Sequence, residues 1–174
     1  MPTAKAFSQV RQVNFRGKII ATADLPAWRK AQRAAGKRLV VTNGCFDLLH
    51  PGHVTYLEAA RNKGDVLLVG LNSDDSVRQL KGPTRPLNAE SDRAVVVAGL
   101  ESVNAVSIFP ERSAAKFLEA VQPDIYVKGG DYTLDTLDQE ERRIVEKAGG
   151  QIVIIPIVPG KSTTELLGRL KSRS

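Results

Sequence analysis

The chain of 174 residues contains two histidines, His50 and His53, spaced three apart around Pro51-Gly52. Proline is favoured at the first position of a helix. Val54, Leu57, Glu58 and Arg61 continue downstream with helical spacing. The segment therefore predicts a helix opening at Pro51, with His50 at its cap and His53 in its first turn. Amides at a helix N-terminus bind anions, phosphate above all. Serine, aspartate or asparagine would cap better than histidine, so two imidazoles here point to chemistry, namely hydrogen bonds to phosphate oxygens. A closed zinc site needs four ligands. Cys45, Asp47, His50 and His53 have ligand side chains close together, but the sequence has one cysteine and two histidines in all, so a zinc site would have to draw on carboxylates.

Further stretches carry groups suited to the same chemistry. Lys128-Gly129-Gly130-Asp131-Tyr132 sets a long cation beside two glycines that let backbone approach a ligand. Asp131 suits a hydrogen bond to a base, a ribose or the glycine-rich turn itself. Ser162-Thr163-Thr164 places three hydroxyls at a predicted helix start, more than a cap requires. Lys81 and Arg85 sit in a polar loop, Lys81-Gly82-Pro83-Thr84-Arg85-Pro86. Arg93 lies on a predicted helix. Asn72-Ser73-Asp74 follows an apolar strand.

The elements that must position these groups alternate. Leu39-Val40-Val41 reads as a buried strand over 38–42, broken by Thr42-Asn43-Gly44. Val66 to Leu71 is apolar throughout, the pattern of a strand covered on both faces. Further strands are predicted over 105–109, 125–127 and 151–155. Helices are predicted over 22–35 with Thr22 as cap, 51–63, 74–80, 89–100 with Asn88 as cap, from Ser113 to about 121, 137–148 and 163–171. Gly17 to Ile20 reads as a short strand or an extended lead-in. Strands alternating with helices through short links predict an α/β fold, a doubly wound parallel sheet of about five strands with helices on both faces. Ligands of such sheets bind at the C-terminal strand ends where strand order reverses. The loops 42–53, 128–132 and 159–164 all follow strands, so the fold brings them together. Residues 1–16 read as a flexible N-terminal arm and 17–174 as a single domain.

Composition narrows the class. A formal charge of +6 favours an anionic partner. The basic residues are scattered and aromatics are few, which argues for a nucleotide or sugar phosphate over nucleic acid. No apolar run approaches the roughly 20 residues of a membrane span, and Met1 to Phe15 lacks the apolar core of a secretory signal. The single cysteine fits a reducing cytoplasm.

The stretch Val-Val-Thr-Asn-Gly-Cys-Phe-Asp-Leu-Leu-His-Pro-Gly-His (40–53) resembles the nucleotidyltransferase superfamily with a His-x-Gly-His signature. Gly-Leu-Asn-Ser-Asp (70–74), Leu-Lys-Gly-Pro-Thr-Arg-Pro (80–86), Val-Lys-Gly-Gly-Asp-Tyr (127–132) and Ser-Thr-Thr (162–164) extend the likeness. Over roughly residues 17–170 the chain is similar to the heptose 1-phosphate adenylyltransferase family, in its stand-alone form without a sugar kinase domain. Residues 133–147 match it only in part.

The resemblance implies a Rossmann-like fold of nucleotidyltransferase type. It implies transfer of a nucleoside monophosphate, from ATP or another triphosphate such as GTP, to D-glycero-D-manno-heptose 1-phosphate, for lipopolysaccharide or a related glycan. It places His50, His53 and Lys128 in catalysis. Asn43, Gly44, Cys45, Phe46, Gly129, Asp131, Ser162, Thr163 and Thr164 then line the nucleotide, with Cys45 read as a small packed residue. Asp47, Asn72, Ser73, Asp74, Lys81, Arg85 and Arg93 are assigned to the substrate and its phosphate, with Asp47 also suited to bracing its loop. A magnesium ion bridging the phosphates is expected, with few protein ligands, and a homodimer is compatible with the group. A glycerol-3-phosphate cytidylyltransferase-like enzyme is the nearest alternative. Its closing motif Arg-x-x-x-Ile-Ser-Thr/Ser differs from Val-Pro-Gly-Lys-Ser-Thr-Thr here. A non-catalytic nucleotide-binding module is the alternative of a different class.

Overall fold

The computed structural model describes residues 14–130 and 132–156. Asp131, the 163–171 helix with Ser162, Thr163 and Thr164, and most of the 1–16 arm lie outside the described residues. Five strands, β1 (Leu39–Gly44), β2 (Val66–Asn72), β3 (Ala105–Phe109), β4 (Ile125–Gly129) and β5 (Gln151–Ile155), form one sheet in the order β3-β2-β1-β4-β5. Every neighbouring pair is parallel. The helices are α1 (Leu25–Ala34), α2 (Pro51–Arg61), α3 (Asp74–Lys81), α4 (Glu90–Ala98), α5 (Ala115–Val121) and α6 (Gln139–Lys147).

The side-chain alternation of the strands divides the core into two layers. Leu39, Val41, Val66, Leu68 and Tyr126 pack with residues of α1, α5 and α6. Val40, Leu67, Val69, Leu71, Ile125 and Val127 pack with Leu57 and Ala60 of α2 and Ala94, Val97 and Ala98 of α4. All seven residues of β2 are buried, which is why its sequence shows no polar alternation. The chain runs β1, β2, β3 outward to one edge, then returns to lay β4 on the far side of β1. Strand order thus reverses between β1 and β4, and a crevice opens at their C-terminal ends.

Several local expectations change. β1 continues through Thr42-Asn43-Gly44, because these three pair with Val69, Gly70 and Leu71. Pairing with β2 overrides the local tendency of Asn-Gly to turn. β4 likewise extends to Gly129, paired with Ile155. Thr22 does not cap α1: Thr22–Asp24 is a 3₁₀ turn and the Thr22 hydroxyl donates to the Ile108 carbonyl at 2.9 Å. Asn88 does not cap α4; its amide N–H and side chain are spent on Asp47. Gly17 to Ile20 contributes a 3₁₀ turn and a single bridge, Ile19 to Val106. Ala114, not Ser113, is the N-cap of α5, although the Ser113 hydroxyl accepts from the first helical amide, that of Ala115 at 3.3 Å.

Gly70 sits where a side chain cannot. A Cβ there would lie 2.6 Å from the Phe117 ring, and Phe117 is 1% exposed and stacked on Phe109 at 5.3 Å. The ring has no room to retreat. Gly70→Ala is expected to destabilise the fold by about 1–3 kcal/mol through overpacking, read by urea denaturation. A midpoint equal to that of the unaltered chain would show that the core yields there at no cost.

Candidate active site

The first turn of α2 is built by its own sequence. His50, in extended conformation, is the N-cap and Pro51 the first helical residue. The His53 N–H returns to the His50 carbonyl at 2.9 Å, and Pro51 has no N–H to give. The anion-binding amides expected of a helix start narrow to that of Gly52, which lines the crevice. The imidazoles supply the remaining donors. The two rings stack at 3.9 Å between centroids, and Phe46 packs on His53 at 5.4 Å. His53 Nδ1 is buried with no hydrogen-bond partner among the described residues.

Burial lowers the His53 pKa to about 4, with further lowering from the neighbouring His50 and Lys81. At neutral pH the ring is uncharged and carries one N–H. In the unfolded chain it takes up its proton near 6.5. The folded state therefore loses stability as pH falls from about 6.5 toward 4, where only the unfolded chain gains the proton.

Phe46 reaches His53 through a left-handed backbone, φ 44°, uncommon for a bulky residue. Its ring folds back against β1: a Cβ on Gly44 would meet it at 3.0 Å. Gly44 itself is a strand residue without positive φ. It is there for space rather than for backbone freedom, and the space is taken by Phe46.

The end of β4 faces this turn across the reversal point. Lys128 Nζ donates to Asn43 Oδ1 at 2.9 Å and pairs with Glu141 Oε2 at 2.9 Å. It also lies 5.0 Å from the Tyr126 ring centroid and 5.9 Å from that of Tyr132, within cation–π range. The Tyr126 hydroxyl is 2.7 Å from both Asn43 Oδ1 and Glu141 Oε2. Burial, and then the Glu141 carboxylate, hold this phenol well above its usual range, so it stays a proton donor. Gly129 is required by Tyr56, whose ring would be 2.7 Å from a Cβ. The Tyr56 hydroxyl is bonded to Thr42 Oγ1 at 2.7 Å and donates to the Val127 carbonyl at 3.1 Å.

These groups open on one cleft of about 1140 Å³. Its walls include Asn43, Gly44, Cys45, Phe46, His50, His53, Asn72, Lys81, Lys128 and Gly129 from the sequence expectation. Its volume is somewhat above the usual range for small-molecule sites, large enough for a nucleotide and a second substrate. Burial raises the Cys45 thiol, in keeping with a packed residue and not a reactive one. Lys81 at the end of α3 and Arg112 after β3 add cations on one side of β1, with Lys128 on the other.

Five residues expected on the substrate do not line this cleft. Asp47, 4% exposed, accepts from the Leu87 and Asn88 amides at 2.8 and 3.1 Å and pairs with Arg85 at 3.1 Å. Arg93, 2% exposed, donates to the Asn88 and Cys45 carbonyls and pairs with Asp74 at 2.8 Å. Ser73 caps α3, accepting from Ser76 N–H at 3.2 Å. A carboxylate and a guanidinium this deep must be paired, and their partners here belong to the chain. They brace the 45–50 loop from behind: Asp47, Asp74, Arg85 and Arg93 are engaged by the protein's own groups, and Ser73 caps α3. Asn72 is on the cleft wall, with its side-chain amide donating to Ser76 Oγ at 2.8 Å.

The sequence reading missed Glu141, Tyr126, Arg112 and Asp138, all at or beneath the cleft, and gave Tyr132 no role of its own within its motif. For Glu141 one signal existed. It stands three residues after Asp138, whose carboxylate accepts from the Glu140 and Glu141 amides at 2.9 and 3.2 Å. That marks a helix start pointed at the sheet edge. No group of three or more His, Cys, Asp or Glu suited to a metal occurs among the described residues. None of their helices is long and apolar enough to cross a membrane.

Known proteins resemble this chain in sequence and fold. The cytidylyltransferase-like family model matches residues 41–167. The bifunctional protein HldE of Geotalea uraniireducens is 50% identical over 150 residues, covering 86% of this chain and 30% of that protein. HldE of Mesorhizobium japonicum is 51% identical over 148 residues, covering 85% and 29%. The chain thus spans about three tenths of the length of these curated relatives. Among solved structures, the lipopolysaccharide core biosynthesis protein of Thermoplasma volcanium is similar, with a TM-score of 0.58 and 30% identity over 71% of this chain and 98% of that one. With the paired histidines, the reversal-point cleft and a family match running from β1 past β5, the chain belongs to the cytidylyltransferase-like family of nucleotidyltransferases.

Proposed function

We propose that the chain transfers AMP from ATP to D-glycero-D-manno-heptose 1-phosphate, giving ADP-heptose and pyrophosphate, as a cytoplasmic step toward lipopolysaccharide core or a related glycan. The observation that carries this reading is the shared cleft: the stacked His50–His53 pair and Lys128 line one hollow from opposite sides of the β1–β4 reversal. The extensive identity to HldE proteins, and the likeness to a lipopolysaccharide core biosynthesis protein of Thermoplasma volcanium, support the sugar and the pathway.

A phosphate oxygen of the sugar 1-phosphate attacks the α-phosphorus of ATP. The bond from that phosphorus to the α–β bridging oxygen breaks, and its electron pair leaves with pyrophosphate. The nucleophile is already an anion near neutral pH, so the site needs no side-chain nucleophile and no strong base. What it must supply is orientation of several anions and stabilisation of charge on the α-phosphoryl group and the leaving pyrophosphate. His53 donates one N–H to phosphate oxygen from a ring that is neutral before binding. His50 and the Gly52 amide stand beside it. Lys128 brings the cation on the β4 side, and Lys81 and Arg112 bring cations on the β2–β3 side. Ser162, Thr163 and Thr164 are assigned to the β- and γ-phosphates, and Asp131 to the nucleoside. Magnesium enters with the triphosphate as part of the substrate. The cleft carboxylates already have protein partners, Glu141 with Lys128 and Asp138 with the start of α6.

Pyrophosphate release from a panel of ATP, GTP and CTP against heptose 1-phosphate and glycerol 3-phosphate tests the reading. ATP with heptose 1-phosphate should give the highest kcat/KM. Turnover confined to CTP with glycerol 3-phosphate, or nucleotide binding with no turnover on any pair, would overturn it. His53→Ala should lower kcat by about 10²–10³-fold, the scale of losing a transition-state donor, with the melting temperature nearly unchanged; near-normal turnover would remove this ring from the chemistry.

Nucleotide binding should also take up a proton. Triphosphate oxygens beside His53 favour its charged form and raise its pKa from about 4. At about pH 5, calorimetry in buffers of different ionisation enthalpy should show uptake on binding ATP, and the uptake should fade at about pH 8. Heats independent of buffer at the lower pH would contradict this placement of the phosphates.

A further inference from the structure

Glu141 is buried beneath the cleft with both carboxylate oxygens engaged. Oε2 faces Lys128 Nζ at 2.9 Å and the Tyr126 hydroxyl at 2.7 Å. Oε1 accepts from the Ala114 N–H at 2.8 Å and lies 3.4 Å from Ser113 Oγ. The side chain is 5% exposed. One carboxylate thus ties α6, the start of α5 and the end of β4 to the cation that borders the reacting phosphates. A buried carboxylate is costly unless its charge is met, and the only cation facing it among the described contacts is Lys128. Lys128 in turn has its ammonium between this carboxylate and Asn43, with its stem confined: the side chain is 14% exposed.

We propose that Glu141 is the positioning residue for Lys128. It holds the ammonium at the mouth of the β1–β4 crevice, with Asn43 and Tyr126 closing the ring, so that an incoming triphosphate meets a cation already in place. A lysine on a four-carbon stem otherwise samples many rotamers, and fixing one beforehand spares that cost at the transition state. Ser113 and Ala114 extend the effect: the carboxylate is itself fixed by the turn after β3, the turn that also carries Arg112 to the cleft. The two sides of the cleft are thereby coupled through one buried group.

This inference rests on the transferase reading above, and the test separates the two. Glu141→Gln keeps an oxygen for the Ala114 amide and places an uncharged group where the carboxylate met Lys128. With ATP and heptose 1-phosphate, well below the melting midpoint, kcat should fall about 10–100-fold while KM for ATP changes by less than about threefold, the pattern of an interaction expressed in the transition state. In a Lys128→Met background the same substitution should cost less than about threefold further, because residues acting as one unit are not additive. A merely structural role would instead multiply the two losses. Glu141→Asp, which keeps the charge but withdraws it by one methylene, is the second variant should Gln prevent folding, and it should also lower kcat. Unaltered kcat in a folded Gln or Asp variant, or multiplicative losses with Lys128→Met, would overturn the positioning role. Absence of turnover by the unaltered chain on every substrate pair would instead defeat the transferase reading itself.

Discussion

The site depends on the pairing of β1 with β4. These strands are far apart in sequence yet hydrogen-bonded in parallel, with Val40 opposite Ile125 and Val41 opposite Tyr126. That register carries Asn43 and Lys128 to the same strand ends, 2.9 Å apart. A shift of one residue would turn Lys128 to the other face of the sheet and part the cation from both Asn43 and Glu141. The register is fixed by what it buries. Tyr126 and Val41 must enter the α1–α5–α6 layer, while Val40, Ile125 and Val127 must enter the α2–α4 layer. Asp124, just before β4, adds a polar lock: its carboxylate accepts from the Leu39 amide at 2.6 Å and pairs with the buried Arg29 at 2.8 Å.

Around this seam the chain separates support from contact. On the histidine side, Arg93–Asp74 and Arg85–Asp47 hold the 45–50 loop from behind, leaving the imidazoles and the Gly52 amide toward the cleft. On the lysine side, Glu141 and Tyr126 play the supporting part. The two halves use the same physics. A charged group buried with a partner and several backbone bonds gains direction at some cost in stability, and direction is what the proposed phosphoryl transfer would demand of the site.

Much of this was legible in the residues. The alternation of apolar strands with helices gave the doubly wound sheet, and Pro51 with flanking histidines gave the helix start. Lys128 was legible because a cation directly after an apolar strand must emerge at a sheet edge. The partition of acids and bases was not. Arg93 and Glu141 are both charged residues on amphipathic helices, and local sequence gives an exposed charge and a buried one the same appearance. Which one is buried depends on contacts from distant segments: Cys45 and Asp74 for the first, Tyr126, Lys128 and Ala114 for the second. The same holds for Asn88, a capping residue by type that the Asp47 side chain and carbonyl engage instead. Gly129 was recognised as a site of close approach, and the ring of Tyr56 packs against it, as that of Phe46 does against Gly44.

The central claim is geometric: one triphosphate touches both sides of the β1–β4 seam. A crystal structure of the chain with a non-hydrolysable ATP analogue and magnesium measures it directly. The α-phosphate should lie within hydrogen-bond distance of a His53 ring nitrogen, with Lys128 Nζ on the same phosphate chain. A nucleotide bound with its phosphates on only one of these two residues, or outside the cleft altogether, would contradict the account.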